Sequence, residues 1–184
     1  GVGLIKNYQN MISMDLKNTG NIILVIGKTI GHLEQSIFAR NILSEKKGPP
    51  PEVNLFNEKN NGLTTLKLIN EKLIESCHDV SLGGIIVAIS KMCLKGKKGI
   101  KINELKSLIN KFEYFFGEDQ ARYLVEIQKE NLPKVDKILK ENSVHYDELG
   151  TVIDENIEFS DEIKLSIDDL EKTYKSWLRK YMIN

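Results

Sequence analysis

The sequence predicts an α+β fold, a mixed β-sheet flanked by helices, on three observations. Residues 21–27 run Asn-Ile-Ile-Leu-Val-Ile-Gly, a continuous aliphatic stretch bounded by Gly20 and Gly27, which suits a strand covered on both faces. Residues 55–74 set Leu63, Leu66, Ile69, Leu73 and Ile74 at helical spacing, as a long amphipathic helix requires. Residues 121–127 alternate Tyr123, Val125 and Ile127 against Leu124 and Glu126, the period of a strand. At 184 residues the chain is long enough for one domain with a real core and too short for two.

The remaining elements follow in order. After the first strand, residues 28–31 form a loop and residues 32–43 a helix with Leu33, Ile37 and Phe38 inward. Residues 46–51 are irregular, because Pro49, Pro50 and Pro51 cannot sit inside a helix. A third helix begins near Leu82, with Ile85, Ile86, Ala88, Ile89, Met92 and Cys93 recurring at helical spacing. Residues 96–99 turn, Ile100 and Ile102 open a short strand, and Asn103 caps a helix carrying Leu105, Leu108 and Ile109. Pro133 starts a helix whose apolar stripe is Val135, Ile138 and Leu139. Residues 144–153 return as a strand interrupted at Gly150, and residues 157–167 form a hairpin. Asp168 then caps a final helix over 169–181, on which Trp177 and Tyr181 form a packing stripe.

Composition excludes several classes. Lys and Arg number 26 against 26 Asp and Glu, so no net charge favours nucleic acid or an anionic membrane as partner. No apolar run reaches membrane-spanning length. Cys77 and Cys93 form no metal-ligand spacing and His32, His78 and His145 are scattered, which fits a reducing, cytoplasmic setting and small core cysteines. The opening Gly-Val-Gly-Leu-Ile, without Met or a polar lead-in, reads as a cut through a longer protein.

Chemistry concentrates in residues 77–88, Cys-His-Asp-Val-Ser-Leu-Gly-Gly-Ile-Ile-Val-Ala. A glycine pair at a helix entrance lets a ligand approach the backbone, where free N–H groups favour an anion. Asp79 just upstream could hold a metal or cap the helix, and local chemistry leaves both open. His78 has no base or nucleophile beside it and reads as a buried hydrogen-bonding residue.

These residues resemble a known family. His78 to Ile85 is similar to the His-Asp-Val-Ser-Asp-Gly-Gly-Leu pattern of the large subunit of phosphoribosylformylglycinamidine synthases, and the opening Gly1-Val2-Gly3-Leu4 to a junction between that family's domains. Further segments resemble a branch typical of alphaproteobacteria: Gly31 to Ser36, Gly48 to Pro51, Asn60 to Gly62, Phe116 to Tyr123, Leu149 to Thr151 and Trp177 to Met182. They occur in family order along the chain.

The resemblance implies the C-terminal domain of the second repeat, covering residues 1–184 and folded like the C-terminal domains of the aminoimidazole ribonucleotide synthetase superfamily. It implies an ATP- and Mg²⁺-dependent ligase of purine biosynthesis, acting on a small-molecule substrate, formylglycinamide ribonucleotide. Its partners would be the N-terminal nucleotide-binding domains of the same protein and a glutaminase subunit that supplies ammonia. By the same resemblance Asp79, Ser81, Gly83 and Gly84 lie near nucleotide phosphates, with Asp79 facing Mg²⁺. Glu118, Asp119 and Gln120 correspond by pseudo-symmetry to a substrate loop. No catalytic residue is expected here, and the isolated fragment is expected to be inactive.

Two departures from the family pattern weaken such a pocket: Leu82 stands where an acidic residue is usual, and Glu34 where a Gly is usual. The alternatives are a non-catalytic scaffold with a vestigial nucleotide pocket, or the related domain of another superfamily member.

Overall fold

β1 (Ile22–Ile26) lies inside the sheet and is buried along its whole length, as its unbroken aliphatic run requires. The structure, a computed structural model, describes residues 3–5, 7–105, 109–159 and 163–183. Around β1 are built β2 (Ser76–Asp79), β3 (Gly99–Ile102), β4 (Tyr123–Ile127), β5 (Tyr146–Ile153), β6 (Ile157–Phe159) and β7 (Ile163–Leu165). Among the described residues these make one seven-stranded sheet, ordered β2-β4-β1-β5-β3-β6-β7. β3 and β6 pair in parallel and the other neighbours are antiparallel, so the sheet is mixed.

Helices cover both faces. Ile23 and Val25 of β1 point into a core shared with α3 (Gly84–Gly96) and with Tyr114 and Phe115 of α4 (Lys111–Phe116). Ile22, Leu24 and Ile26 point the other way, against Leu68 of α2 (Leu55–Asn70) and Val135, Ile138 and Leu139 of α5 (Leu132–Glu141). The stripe expected on α5 is the one observed.

Several expectations are corrected. The helix expected over 32–43 is only α1 (Ile37–Asn41), because Ser36 caps it and accepts from the Ala39 N–H at 3.0 Å. Ala39 is buried there and Ile37 is exposed, the reverse of the amphipathic reading. On α2 the inward face is Asn61, Thr64, Thr65 and Leu68, while Leu63 and Leu66 are exposed. Asn61 explains the rotation: its side-chain amide donates to the Ala121 carbonyl at 2.9 Å, anchoring a polar face to the segment that leads into β4. Leu73 and Ile74 are buried, but beyond the helix end.

β2 was not expected, since four residues ending in His-Asp carry no strand pattern. Residues 106–108, in the middle of the helix expected after Asn103, lie outside the described residues. Asn103 and Leu105 are not helical. The helix of this region is α4, started by a reciprocal capping box between Asn110 and Glu113. β5 runs on through Gly150, and the interruption expected there is a shift of register against β1, between Gly150 and Glu148; the missing side chain of Gly150 admits the Lys101 carbonyl of the neighbouring strand. The last helix, α6 (Ile167–Ile183), begins before Asp168, and the Ser166 hydroxyl accepts from the Asp169 N–H at 3.4 Å. Trp177 and Tyr181 stack on each other at 5.8 Å but are 65% and 70% exposed, so they are not packed against the body.

Candidate functional site

The sequence-predicted site residues meet where three chain segments converge: the loop leaving β1, the entrance to α3, and residues 117–122 leading into β4. The second and third touch directly, as the Val80 N–H donates to the Arg122 carbonyl at 2.9 Å. The third also carries Glu118 and Asp119, both buried.

Asp119 faces the first segment. Its carboxylate accepts from the backbone N–H groups of Ile30, Gly31 and His32, each at 3.0 Å. The fully buried Arg122 guanidinium lies 3.5 Å away. Arg122 donates to the Gly117 carbonyl at 2.6 Å, the Asp119 carbonyl at 3.2 Å and the Thr29 hydroxyl at 3.2 Å. Burial pulls its pKa below the ordinary value, and the neighbouring Asp119 opposes that shift. Every polar group of this pair therefore has a partner, as a buried charge requires. A cavity of about 350 Å³ lies on the same loop, lined by Ile30 to Glu34 and Glu113.

Glu118 joins the other two segments. One carboxylate oxygen, Oε1, accepts from the Gly83 N–H at 2.8 Å and from the Ile37 N–H at 2.8 Å. Gly83 is the N-cap of α3, with left-handed φ of 86°, and it has no side chain to satisfy the helix's first donors. The carboxylate of Glu118, from a distant part of the chain, takes the N–H of Gly83 itself, at the end of the helix that favours negative charge. Gly84 follows at φ 71°, and a Cβ there would sit 2.6 Å from the Phe115 carbonyl and 2.7 Å from that of Gly117. Its small size admits the protein's own backbone.

The other predicted residues are disposed differently. Asp79, at the end of β2, has a side chain 64% exposed, with its Oδ1 3.1 Å from His78 Nδ1. It does not cap α3. His78 is mostly buried, with Nδ1 so engaged and Nε2 buried without a partner among the described residues. Ser81, Leu82 and Gln120 are exposed. Cys93 is fully buried and Cys77 partly, and burial pushes both thiols up to about 12, so neither is a ready nucleophile.

The Mg²⁺ that the resemblance implies takes six oxygen ligands, usually one or two carboxylates with waters and substrate phosphates making up the rest. Among the described residues no group of three His, Cys, Asp or Glu side chains converges on one point, and Asp79 offers a single carboxylate. Asp79 would supply one such carboxylate, and the described residues form no all-protein cage for the ion. A phosphate at Gly83 would meet an N–H already donated to Glu118.

Sequence reasoning missed Glu126, fully buried in β4. Its carboxylate accepts from the Lys17 and Asn18 N–H groups, the Asn21 side-chain amide and the Ser76 hydroxyl, at 2.8 to 3.1 Å. It ties residues 17–21 to β2 and β4. The available signal was an acidic residue inside an otherwise apolar strand.

Residues 18–161 match the family described as AIR synthase related protein, C-terminal domain. The chain is 65% identical over all 184 residues to the phosphoribosylformylglycinamidine synthase subunit PurL of Pelagibacter ubique (strain HTCC1062), of whose length it spans 25%. It resembles the structure of Thermotoga maritima PurL complexed with FGAR, with TM-score 0.71 and 19% identity over 88% of this chain and 29% of that one. The ATP complex of the same protein gives TM-score 0.66 and 18% identity over 87% and 27%. At such identities the likeness to these two structures is one of fold.

Proposed function

The chain belongs to the AIR synthase related proteins, matching their C-terminal domain, and from that premise we propose that it is the C-terminal domain of a phosphoribosylformylglycinamidine synthase large subunit. The observation that carries this reading is the 65% identity along the whole of the chain, against a relative about four times as long. The complete enzyme would be a carbon–nitrogen ligase of purine biosynthesis. It would use ATP, with Mg²⁺, to phosphorylate the amide oxygen of formylglycinamide ribonucleotide, and ammonia would then displace that phosphate to leave the amidine. A glutaminase subunit would supply the ammonia, and the reaction would run in the cytoplasm.

Within that enzyme this domain has a supporting role. The side chains with the chemistry to act, Glu118 and Asp119, hold the domain's own backbone. Asp79, Ser81 and Gln120 are the outward-facing members, placed to meet a ligand or surface carried by the nucleotide-binding domains. Gly83 and Gly84 serve close packing, with Gly84 against the Phe115 and Gly117 carbonyls.

The test is an assay of the full-length polypeptide with formylglycinamide ribonucleotide, Mg-ATP and ammonium. The amidine should form with one ADP and one phosphate per turnover, while residues 1–184 alone should give none. A full-length protein inert towards this substrate but active on another ribonucleotide or a selenium or thiamine compound would replace the reading. Turnover by the fragment would remove the supporting role.

A further inference from the structure

We infer that the anion-binding position at the entrance to α3 is permanently held by the protein's own Glu118 carboxylate, and that nucleotide phosphates are not bound there. The His78–Gly84 sequence has the features of a phosphate loop: a glycine pair, a following helix of 13 residues, and backbone donors at its start. The structure shows what those donors do. The Gly83 N–H points at Glu118 Oε1 at 2.8 Å, and the same oxygen takes the Ile37 N–H at 2.8 Å from the start of α1. The Gly84 N–H is also spent, donating to the Ser81 carbonyl at 3.0 Å. A phosphate oxygen seeking these groups would have to displace a buried carboxylate and leave it beside its own negative charge.

The backbone that carries this carboxylate is itself held. The Glu118 N–H donates to the His32 carbonyl at 2.9 Å, and the next residue, Asp119, is held by three backbone donors. The approach is closed from behind as well, because Gly84 lies against the Phe115 and Gly117 carbonyls. The site thus has the donor geometry of a phosphate cradle with a resident acid in place of the phosphate. Its role is to lock α1, α3 and the 117–122 segment into one unit. The inference rests on this local geometry and stands whichever superfamily reaction the complete enzyme performs.

Hydrogen exchange by mass spectrometry on the full-length protein tests it, read on peptides spanning residues 36–39 and 82–85. In the wild-type protein, millimolar inorganic phosphate or Mg-ATP should leave exchange in both peptides unchanged. Glu118→Ala should accelerate both by about tenfold or more, the loss of one hydrogen bond at each donor. Millimolar formate should slow the variant back towards the wild-type rate by refilling the vacancy, and leave the wild type unmoved. Wild-type protection by phosphate or Mg-ATP would overturn the inference, as would unaccelerated exchange in the variant or failure of formate to slow it. If Glu118→Ala does not fold, Glu118→Gln and the wild-type arm decide alone: the glutamine carbonyl should keep most of the protection, and wild-type exchange should still ignore phosphate.

Discussion

Asp79 and Asp119 stand on adjoining segments of one loop cluster, in motifs that look equally functional in the sequence, yet they are spent in opposite ways. Asp119 is 4% exposed and accepts from three backbone N–H groups beside a buried guanidinium. Asp79 leaves most of its carboxylate in solvent and, among the described residues, bonds to His78 alone. The difference teaches that an acidic residue in a recognisable motif can be structural because it is well partnered. The residue still open to solvent is the one the fold does not use.

Substitutions can break or sharpen this contrast. Asp119→Ala has the largest expected effect, since it takes the acceptor from three part-buried backbone donors and removes the carboxylate beside the fully buried Arg122 guanidinium. Denaturant unfolding should show a loss of about 3–5 kcal/mol. A loss below about 1 kcal/mol would mean that water reaches this cluster and the contrast is false.

Gly84→Ala tests the same packed region by sterics. The added methyl would press on two backbone carbonyls at a positive φ, and should cost about 1–3 kcal/mol. A stability equal to the parent would mean that α3 can slide away from the 115–117 segment.

Asp79→Asn has the smallest expected effect on folding. It should move the unfolding midpoint by no more than about 0.5 kcal/mol, as for other surface changes without a unique partner. In the full-length enzyme the same substitution should show its effect in ligand affinity. A large stability loss with unchanged affinity would reverse the roles assigned to the two aspartates.

The regions also differ in how far they could be read in advance. The β1 run, the alternation in β4, the α5 stripe and the hairpin of β6 and β7 are visible in sequence, because each depends on neighbours a few residues away. The entrance to α3 was placed within two residues, because a glycine pair before an apolar run marks it. The polar inward face of α2 was not legible. Leu63 and Leu66 are the more hydrophobic choice, and only the Ala121 carbonyl awaiting Asn61 turns the helix away from them. Nor was the exposed face of α6, where Tyr174, Trp177, Leu178 and Tyr181 recur as a core stripe would but stand clear of the body.

The sequence by itself determined the mixed sheet, its covered central strand and the family to which the chain belongs, since local periodicity and ordered motifs carry that information. Tertiary structure alone decided which acid is a clamp and which faces outward. The donors that Glu118 serves lie 35 and 81 residues away, and those of Asp119 lie 87 to 89 residues away. A carboxylate's charge is written in its own residue, but whether that charge is satisfied depends on backbone groups that only folding brings within hydrogen-bond reach.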